Sequence, residues 1–276
     1  MKEKQLGISK EYEIPEKLWE KIKVLIPPPK VKKISGRPRM DDYKAMTAIF
    51  YILRTGCQWK ALPESLGAAS TVHDRFQEWV KAGVFEDLWQ DGVLEYDERK
   101  GLDWLWQAMD GAMTKSPLGG KKTGPNPTDR GKKGTKRSLL TDGNGIPMAL
   151  SVEGANRHDK RMVEPTLLEF IVDRPEVDEE HLQHICLDKG YDYDDIRYLL
   201  VLWGYNVRIK ARGVEAEEKR EIPNYRARRW VVERTHSWIN RFRRLLIRWE
   251  KKVENYIGML HFACAWISFK AAGLFG

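Results

Sequence analysis

At Gly101 the spacing of apolar residues changes, and that change limits the folds open to this chain. Before it, apolar side chains recur three and four residues apart, the period of helices. Leu18, Trp19, Ile22 and Leu25 do so up to a stop at Pro27, Pro28 and Pro29. Met46, Ile49, Phe50 and Leu53 do so behind a cap at Asp41 or Asp42 and ahead of Gly56. Residues 63–66 read as a short helix, Gly67 as a turn, and Ser70 as the cap of a helix carrying Val72, Phe76, Trp79 and Val80. A further helix runs from Val84 to about Tyr96. After Gly101, short apolar runs alternate with helical stretches. Residues 104–109 form a strand ending in Asp110, with Asp103 starting it, and residues 138–141 and 146–152 flank the hairpin signal Asp142, Gly143, Asn144, Gly145. A helix over about 161–172 follows, then strand 184–187 ending in Asp188. Gly190 and the pair Asp194 and Asp195 cap a helix through Leu202, residues 205–209 form the last strand, and a helix over 225–249 comes after a charged connector, 212–223. This order predicts an α/β fold: a mixed sheet with helices on both faces over residues 101–276, its C-terminal part helical. A small all-α, helix-turn-helix-like domain over residues 1–100 precedes it.

The helix over 225–249 has two unlike sides. Val231, Val232, Trp238, Ile239, Phe242, Leu245, Leu246 and Trp249 make one apolar stripe. Opposite it stand Arg226, Arg229, Asn240 and Arg244, with Arg241 and Arg248 at the margin and Glu233 in the middle. Glu233 can pair with Arg229 four residues earlier, an exposed pair contributing about 0.3 kcal/mol. One carboxylate cannot offset eight arginines over 23 residues, so the face calls for an external anion, and planar guanidinium forks suit phosphate.

Charge is concentrated in the same way. Residues 205–252 hold 15 Lys and Arg against 6 Asp and Glu, and residues 121–137 hold 7 against 1. Those excesses of 9 and 6 leave the rest of the chain at −7 within the net +8, which is the footprint of a polyanion such as DNA. The second segment is a Gly, Pro and Lys-rich stretch that reads as a mobile basic loop bearing Lys121, Lys122, Lys132 and Lys133. It lacks the glycine spacing of a phosphate-binding P-loop. Further contacts are expected from the groove side of helix 70–81, through His73, Gln77 and Lys81 with Thr71 and Arg75 at the margin, though a plain helical bundle explains the same pattern. The linker's Arg37 and Arg39, flanking Pro38, partly resemble a minor-groove hook, and a flexible connector explains them equally.

Asp110 and Asp188 each end an apolar strand, and Glu233 projects from the next long helix. Carboxylates on three rigid elements are what hard divalent cations need, with positions left for phosphate oxygens. His158 beside Asp159 is a pair of the kind metal phosphohydrolases use, but Asp159 as a helix cap accounts for it more simply. Eleven Trp exclude a disordered chain. Three cysteines, Cys57, Cys186 and Cys264, form no CxxC pair and read as buried thiols in a reducing compartment. No apolar run reaches membrane-span length and the first residues lack a signal-peptide core. The expected location is the cytoplasm, at the nucleoid of a bacterium or archaeon.

Residues 106–120 (WQAMDGAMTKSPLGG), 187–191 (LDKGY) and 229–245 (RWVVERTHSWINRFRRL) resemble the DDE transposases of bacterial insertion sequences, specifically the IS-five family. The stretch SGRPRMDDYKAMTAIFYILRTGCQWKALP resembles that family's N-terminal DNA-binding region, so the similarity spans nearly the whole chain. The resemblance implies a ribonuclease H-like core with Asp110, Asp188 and Glu233 as catalytic metal ligands for two Mg²⁺ or Mn²⁺ ions. It implies binding of terminal inverted repeats, cleavage at the element ends and transfer of 3′-hydroxyls to target DNA, by a dimer or higher oligomer on DNA, without membrane or small-molecule substrate. One departure stands out. The family carries a lysine seven residues after its glutamate; that position is Asn240, beside Arg241, and the family's tyrosine falls one residue early, at Tyr225. A metal-dependent nuclease on the same core, or a DNA-binding regulator with a dead core, are the alternative readings.

Overall fold

The computed structural model describes residues 6–29, 38–209 and 228–275. Its N-terminal helices are α1 (Glu16–Leu25), α2 (Asp42–Thr55), α3 (Ala69–Lys81) and α4 (Val84–Lys100). Asp41 caps α2 by accepting from Lys44 N at 2.8 Å, and Gly56 ends it in the left-handed region at φ 71°. The short helix expected at 63–66 is present as a 3-10 turn, Glu64–Leu66. One expectation fails nearby: α3 starts behind Ala68 with no side-chain cap, so Ser70 is not its cap.

The sheet is built from β1 (Trp106–Lys115), β2 (Gly124–Pro125), β3 (Lys133–Thr141), β4 (Pro147–Gly154), β5 (Gln183–Leu187) and β6 (Tyr205–Ile209). β1 pairs antiparallel with β3 and β3 with β4, while β1, β5 and β6 run parallel. The short β2 adds to the far side of β3. An antiparallel three-strand meander continued by two parallel strands beside its first strand is the ribonuclease H-like arrangement. β1 does not end at Asp110 as expected; it continues to Lys115, because Gly111 to Lys115 keep their pairing with β3. The helix expected over 161–172 is short, a 3-10 turn at Asp159–Met162 followed by α5 (Val163–Leu167), since Phe170 leaves it to bridge Ala149. α6 (Asp194–Leu202) precedes β6, and Tyr193 occupies its N-cap, with Asp194 and Asp195 already in its first turn.

Successive strand residues alternate faces, so each face carries its own core. Met109, Leu140, Met148, Ile185 and Leu187 pack under α5 and α6. Ala108, Leu139, Leu150 and Val152 face the other way, towards α7 (Trp230–Asn240) and α8 (Val253–Ala271). The helix expected over 225–249 is therefore much shorter. It stops at Asn240, and a 3-10 turn, Arg243–Leu245, follows. Val231, Val232, Ile239, Phe242 and Leu245 are buried as the stripe requires, but Leu246 and Trp249 lie outside the helix and are 50% and 41% exposed. The chain straightens there because Arg248 N donates to Lys115 O at 2.8 Å and Ile247 bridges β1.

α8 is apolar around most of its circumference, as a central helix must be. It lies along α4, where Gly92 brings the backbones close enough that a Cβ would meet Phe269 at 3.1 Å and Ala265 O at 3.2 Å. Trp89 of α4 donates to Pro147 O of β4 at 3.0 Å. The N-terminal helices and the outer sheet face thus share one continuous core, running from Ile14 to Leu274. No helix among the described residues is long and apolar enough to cross a membrane. Cys186 and Cys264 are buried, whereas Cys57 is only half-buried, at the end of α2.

Candidate active site

Asp110 and Asp188 come together through strand register. Ala108 pairs with Cys186 across the parallel β1–β5 ladder, so two residues further on both carboxylates share one face, the one α7 covers. Asp188 caps the turn after β5, accepting from Gly190 N at 2.7 Å. Glu233 stands in the first turn of α7, exposed, with Arg229 Nε 3.3 Å from its Oε1. The Asp110 carboxyl is pushed up from 3.8 to about 6, first by burial and then by the nearby charges of Asp188 and Glu233, against an opposing backbone hydrogen bond from Gly111 and the Arg229 charge. Among the described residues no three His, Cys, Asp or Glu side chains stand close enough to hold an ion as placed. The donor set nonetheless fits a hard divalent cation. Three oxygen donors repel one another across a half-buried site, and a cation between them would remove that repulsion.

Four residues around this centre escaped the sequence. Arg137 and Lys136 are neighbours on β3 and point to opposite faces. Arg137, opposite Ala112, shares the Asp110 face and is 1% exposed. Its Nε donates to His236 Nδ1 at 3.3 Å and its Nη2 to Asn240 Oδ1 at 2.7 Å. A guanidinium only donates, so Nδ1 must be the acceptor and the imidazole hydrogen sits on Nε2. From there it is donated to the Asp110 backbone carbonyl at 3.2 Å. Burial, then the Arg137 charge, pushes His236 down to about 3, which keeps it neutral. On the opposite face Lys136 Nζ donates to Asp159 Oδ1 at 2.8 Å and Arg157 O at 2.7 Å. Asp159 is thus an ion-pair partner and not the helix cap expected; the cap position belongs to His158, whose Nδ1 accepts from Lys160 N at 3.3 Å. Gly111 permits this approach, since a Cβ there would lie 2.7 Å from Asp159 Oδ1. Tyr191, fully buried nearby, is driven up by burial and by Asp110, Asp159 and Asp188.

The expected DNA contacts divide. Arg37 and Arg226, together with Tyr225 and the connector at 212–223, lie outside the described residues. Arg39 is engaged by Glu78 at 3.2 Å and Asp42 at 3.6 Å. Arg75 is 6% exposed and ion-paired with Asp42, so it faces the core and not a groove. Arg244 is buried in a forked pair with Glu250, Nε at 2.7 Å and Nη2 at 2.6 Å, and donates to Cys57 O. Arg248 is fully buried and donates to Lys121 O, Lys122 O and Thr135 Oγ1. That arginine fastens the basic segment expected to be mobile. Asn240 is exposed, with its Oδ1 accepting from Arg137, and His73 and Gln77 are engaged by Trp59, by each other and by Lys252. Thr71, Lys81, Lys121, Lys132, Lys133 and Arg241 are exposed, as is Lys122 despite Glu153 at 3.4 Å; Arg229 is half-buried. The periodicity could not tell these groups apart, because a buried arginine and a solvated one occupy the same kind of position on a helix.

Two family models match the chain. One, described as "Putative transposase of IS4/5 family", covers residues 14–89, and the other, "Transposase DDE domain", covers residues 107–267, more than half of the chain. The chain belongs to the DDE transposases of the IS4/5 family. A protein described as "Putative transposase for insertion sequence element IS402", from Burkholderia cepacia, is 38% identical over 159 residues, 54% of this chain and 69% of that protein. The insertion element IS402 uncharacterized 16.2 kDa protein of the same organism is 31% identical over 118 residues, 41% of this chain and 80% of that protein. The crystal structure of the catalytic domain of Mos1 mariner transposase aligns over 70% of this chain and 93% of that chain at 11% identity and a TM-score of 0.29, too slight a likeness to carry an argument. As a DDE transposase the chain is a DNA-cleaving and strand-transferring enzyme of a family that uses divalent metal.

Proposed function

We propose that this transposase binds the terminal inverted repeats of its element, cleaves there and transfers the 3′-hydroxyl ends to target DNA, acting on DNA as a dimer or higher oligomer. The observation that carries the catalytic assignment is the strand register that sets Asp110 and Asp188 on the sheet face that α7, the helix bearing Glu233, covers. Asp110, Asp188 and Glu233 are the residues that would hold two Mg²⁺ or Mn²⁺ ions, which when bound activate a water or 3′-hydroxyl and stabilise the leaving oxygen. The chain's own residues do the rest. His236 and Arg137 fix the backbone at Asp110, and Arg229 neutralises Glu233 until a stronger cation competes for it. Lys121, Lys122, Lys132 and Lys133 and the exposed Arg241 attract phosphates without reading sequence.

Residues 1–100 form the end-recognition part, through the exposed Thr71 and Lys81 of α3, and residues 101–276 the catalytic part. The two family models, which fall on either side of residue 100, support that division. α8 packs against both parts, so they share one core and are best tested together in the full chain. The experiment incubates the full chain with end-bearing DNA, a target plasmid and Mg²⁺, and sequences the junctions. Joined ends support the proposal, cleavage without joining makes the protein a nuclease, and binding without either makes it a regulator.

A further inference from the structure

Tyr191 ends the short turn that Asp188 caps, and its ring joins Met109, Ile185 and Leu187 in the core under α5 and α6. It is 1% exposed, and among the described residues its hydroxyl has no hydrogen-bond partner. A core that needed only the ring would be served better by Phe, because burying an unpaired hydroxyl costs free energy. The hydroxyl lies beside Gly111, where an added Cβ would stand 3.6 Å from it. Gly111 follows Asp110 in β1, and its backbone N–H donates to the Asp110 carboxyl. Phenol and carboxyl therefore converge on one residue that has no side chain to separate them. The other acid at this place, Asp159, is already taken: the Oδ1 it turns toward Gly111 accepts from Lys136 Nζ at 2.8 Å.

We propose that Tyr191 is a positioning residue for the metal site, its hydroxyl donating to the Asp110 carboxylate when that carboxylate holds a cation. Without a cation, Asp110 is repelled by Asp188 and Glu233 and is biased toward its uncharged form, a poorer acceptor. A cation among the three acids removes that repulsion and keeps Asp110 ionised, and an ionised carboxylate makes the stronger hydrogen bond with a phenol. A donor behind a ligating carboxylate also fixes which of its oxygens faces the metal. The hydroxyl is thus unpaired in the empty site and paired in the loaded one, so it favours the loaded state; a Phe would favour neither. The inference rests on the assignment of Asp110 as a metal ligand and adds to it a residue that touches neither metal nor DNA.

The test is Tyr191→Phe in the full chain, which removes the hydroxyl and keeps the ring. In EDTA the variant should melt about 2–4 °C above wild type, since it no longer buries an unpaired group. Mn²⁺ should raise its melting temperature only at concentrations about 10-fold higher than wild type needs, and the Mg²⁺ concentration for half-maximal cleavage of end-bearing DNA should rise by about the same factor. At saturating Mg²⁺ its cleavage should approach the wild-type rate. A hydroxyl that merely supports the fold predicts the reverse, a lower melting temperature in EDTA with an unchanged metal requirement, and either of those results overturns the inference. Asp110→Ala separates the two levels of the argument. If it too leaves the Mn²⁺ requirement unchanged, the assignment of the metal site fails; if it raises the requirement and Tyr191→Phe does not, only the role of Tyr191 falls.

Discussion

Replacing Asp110 by Asn should make the metal-free protein more stable. The carboxyl titrates at about 6 in the folded chain against 3.8 in the absence of the fold. A folded-state value above the unfolded one means that the side chain's contribution is intact below about pH 4 and is lost as pH rises through about 6. A shift of roughly two units is worth at most about 3 kcal/mol. Asn keeps the shape and can still accept from Gly111 N, but carries no charge to be repelled by Asp188 and Glu233. Urea unfolding of both proteins in EDTA should therefore show a difference near zero at pH 4 that grows in favour of Asp110→Asn to about 2–3 kcal/mol at pH 8. Asp142, pushed up to about 6 mainly by burial, is present in both proteins and cancels. Saturating Mg²⁺ should reverse the order at pH 8, since only the wild type offers the full carboxylate set. A difference that does not change with pH, or an Asn variant weaker than wild type at pH 8 without metal, would refute the electrostatic account of the site.

The route from Asn240 through Arg137 and His236 to the Asp110 carbonyl makes His236 a positioning residue. His236→Gln keeps a donor in the place of Nε2 and should cleave within about 10-fold of wild type, whereas His236→Leu should lose about 100-fold in single-turnover cleavage at unchanged DNA affinity; equal losses would remove the hydrogen bond from the account. Arg244→Met leaves Glu250 buried and uncompensated, and should cost about 3–5 kcal/mol in urea unfolding. A loss no greater than an exposed ion pair is worth, under about 1 kcal/mol, would show that Arg244 is free to serve DNA after all.

The apolar spacing carried the order of elements, because each β-strand and helix of the sheet domain buries one or both faces and leaves a periodic trace. β6 falls at 205–209 as its composition indicates, and the Asp142 hairpin sits where its turn residues place it. Boundaries were less legible. β1 runs past Asp110 because backbone pairing with β3 continues through Gly111, a contact that no local pattern encodes. The long helix over 225–249 breaks after Asn240 because Arg248 is worth more to the loop carbonyls of Lys121 and Lys122 than to a helix face. At the candidate site the three carboxylates read as two strand ends and a lone acid among arginines; Asp188 does follow β5 and Glu233 does stand on α7, but Asp110 lies inside β1. Arg137 and Lys136 could not be picked out, since consecutive charges in a strand read as surface unless both faces are known to be covered. The same strand covered by helices on both sides turns one charge toward each core, where Arg137 is hydrogen-bonded to neutral His236 and to Asn240 and Lys136 is ion-paired with Asp159.

The central claim is tested most directly by measuring cleavage and joining of end-bearing DNA in Mg²⁺ by Asp110→Ala, Asp188→Ala and Glu233→Ala, with DNA affinity measured alongside. The account predicts that each substitution abolishes both reactions while leaving affinity within a few-fold of wild type, because these side chains hold metal and the lysines and arginines hold phosphate. Normal cleavage by Glu233→Ala, or full wild-type activity in EDTA, would contradict it.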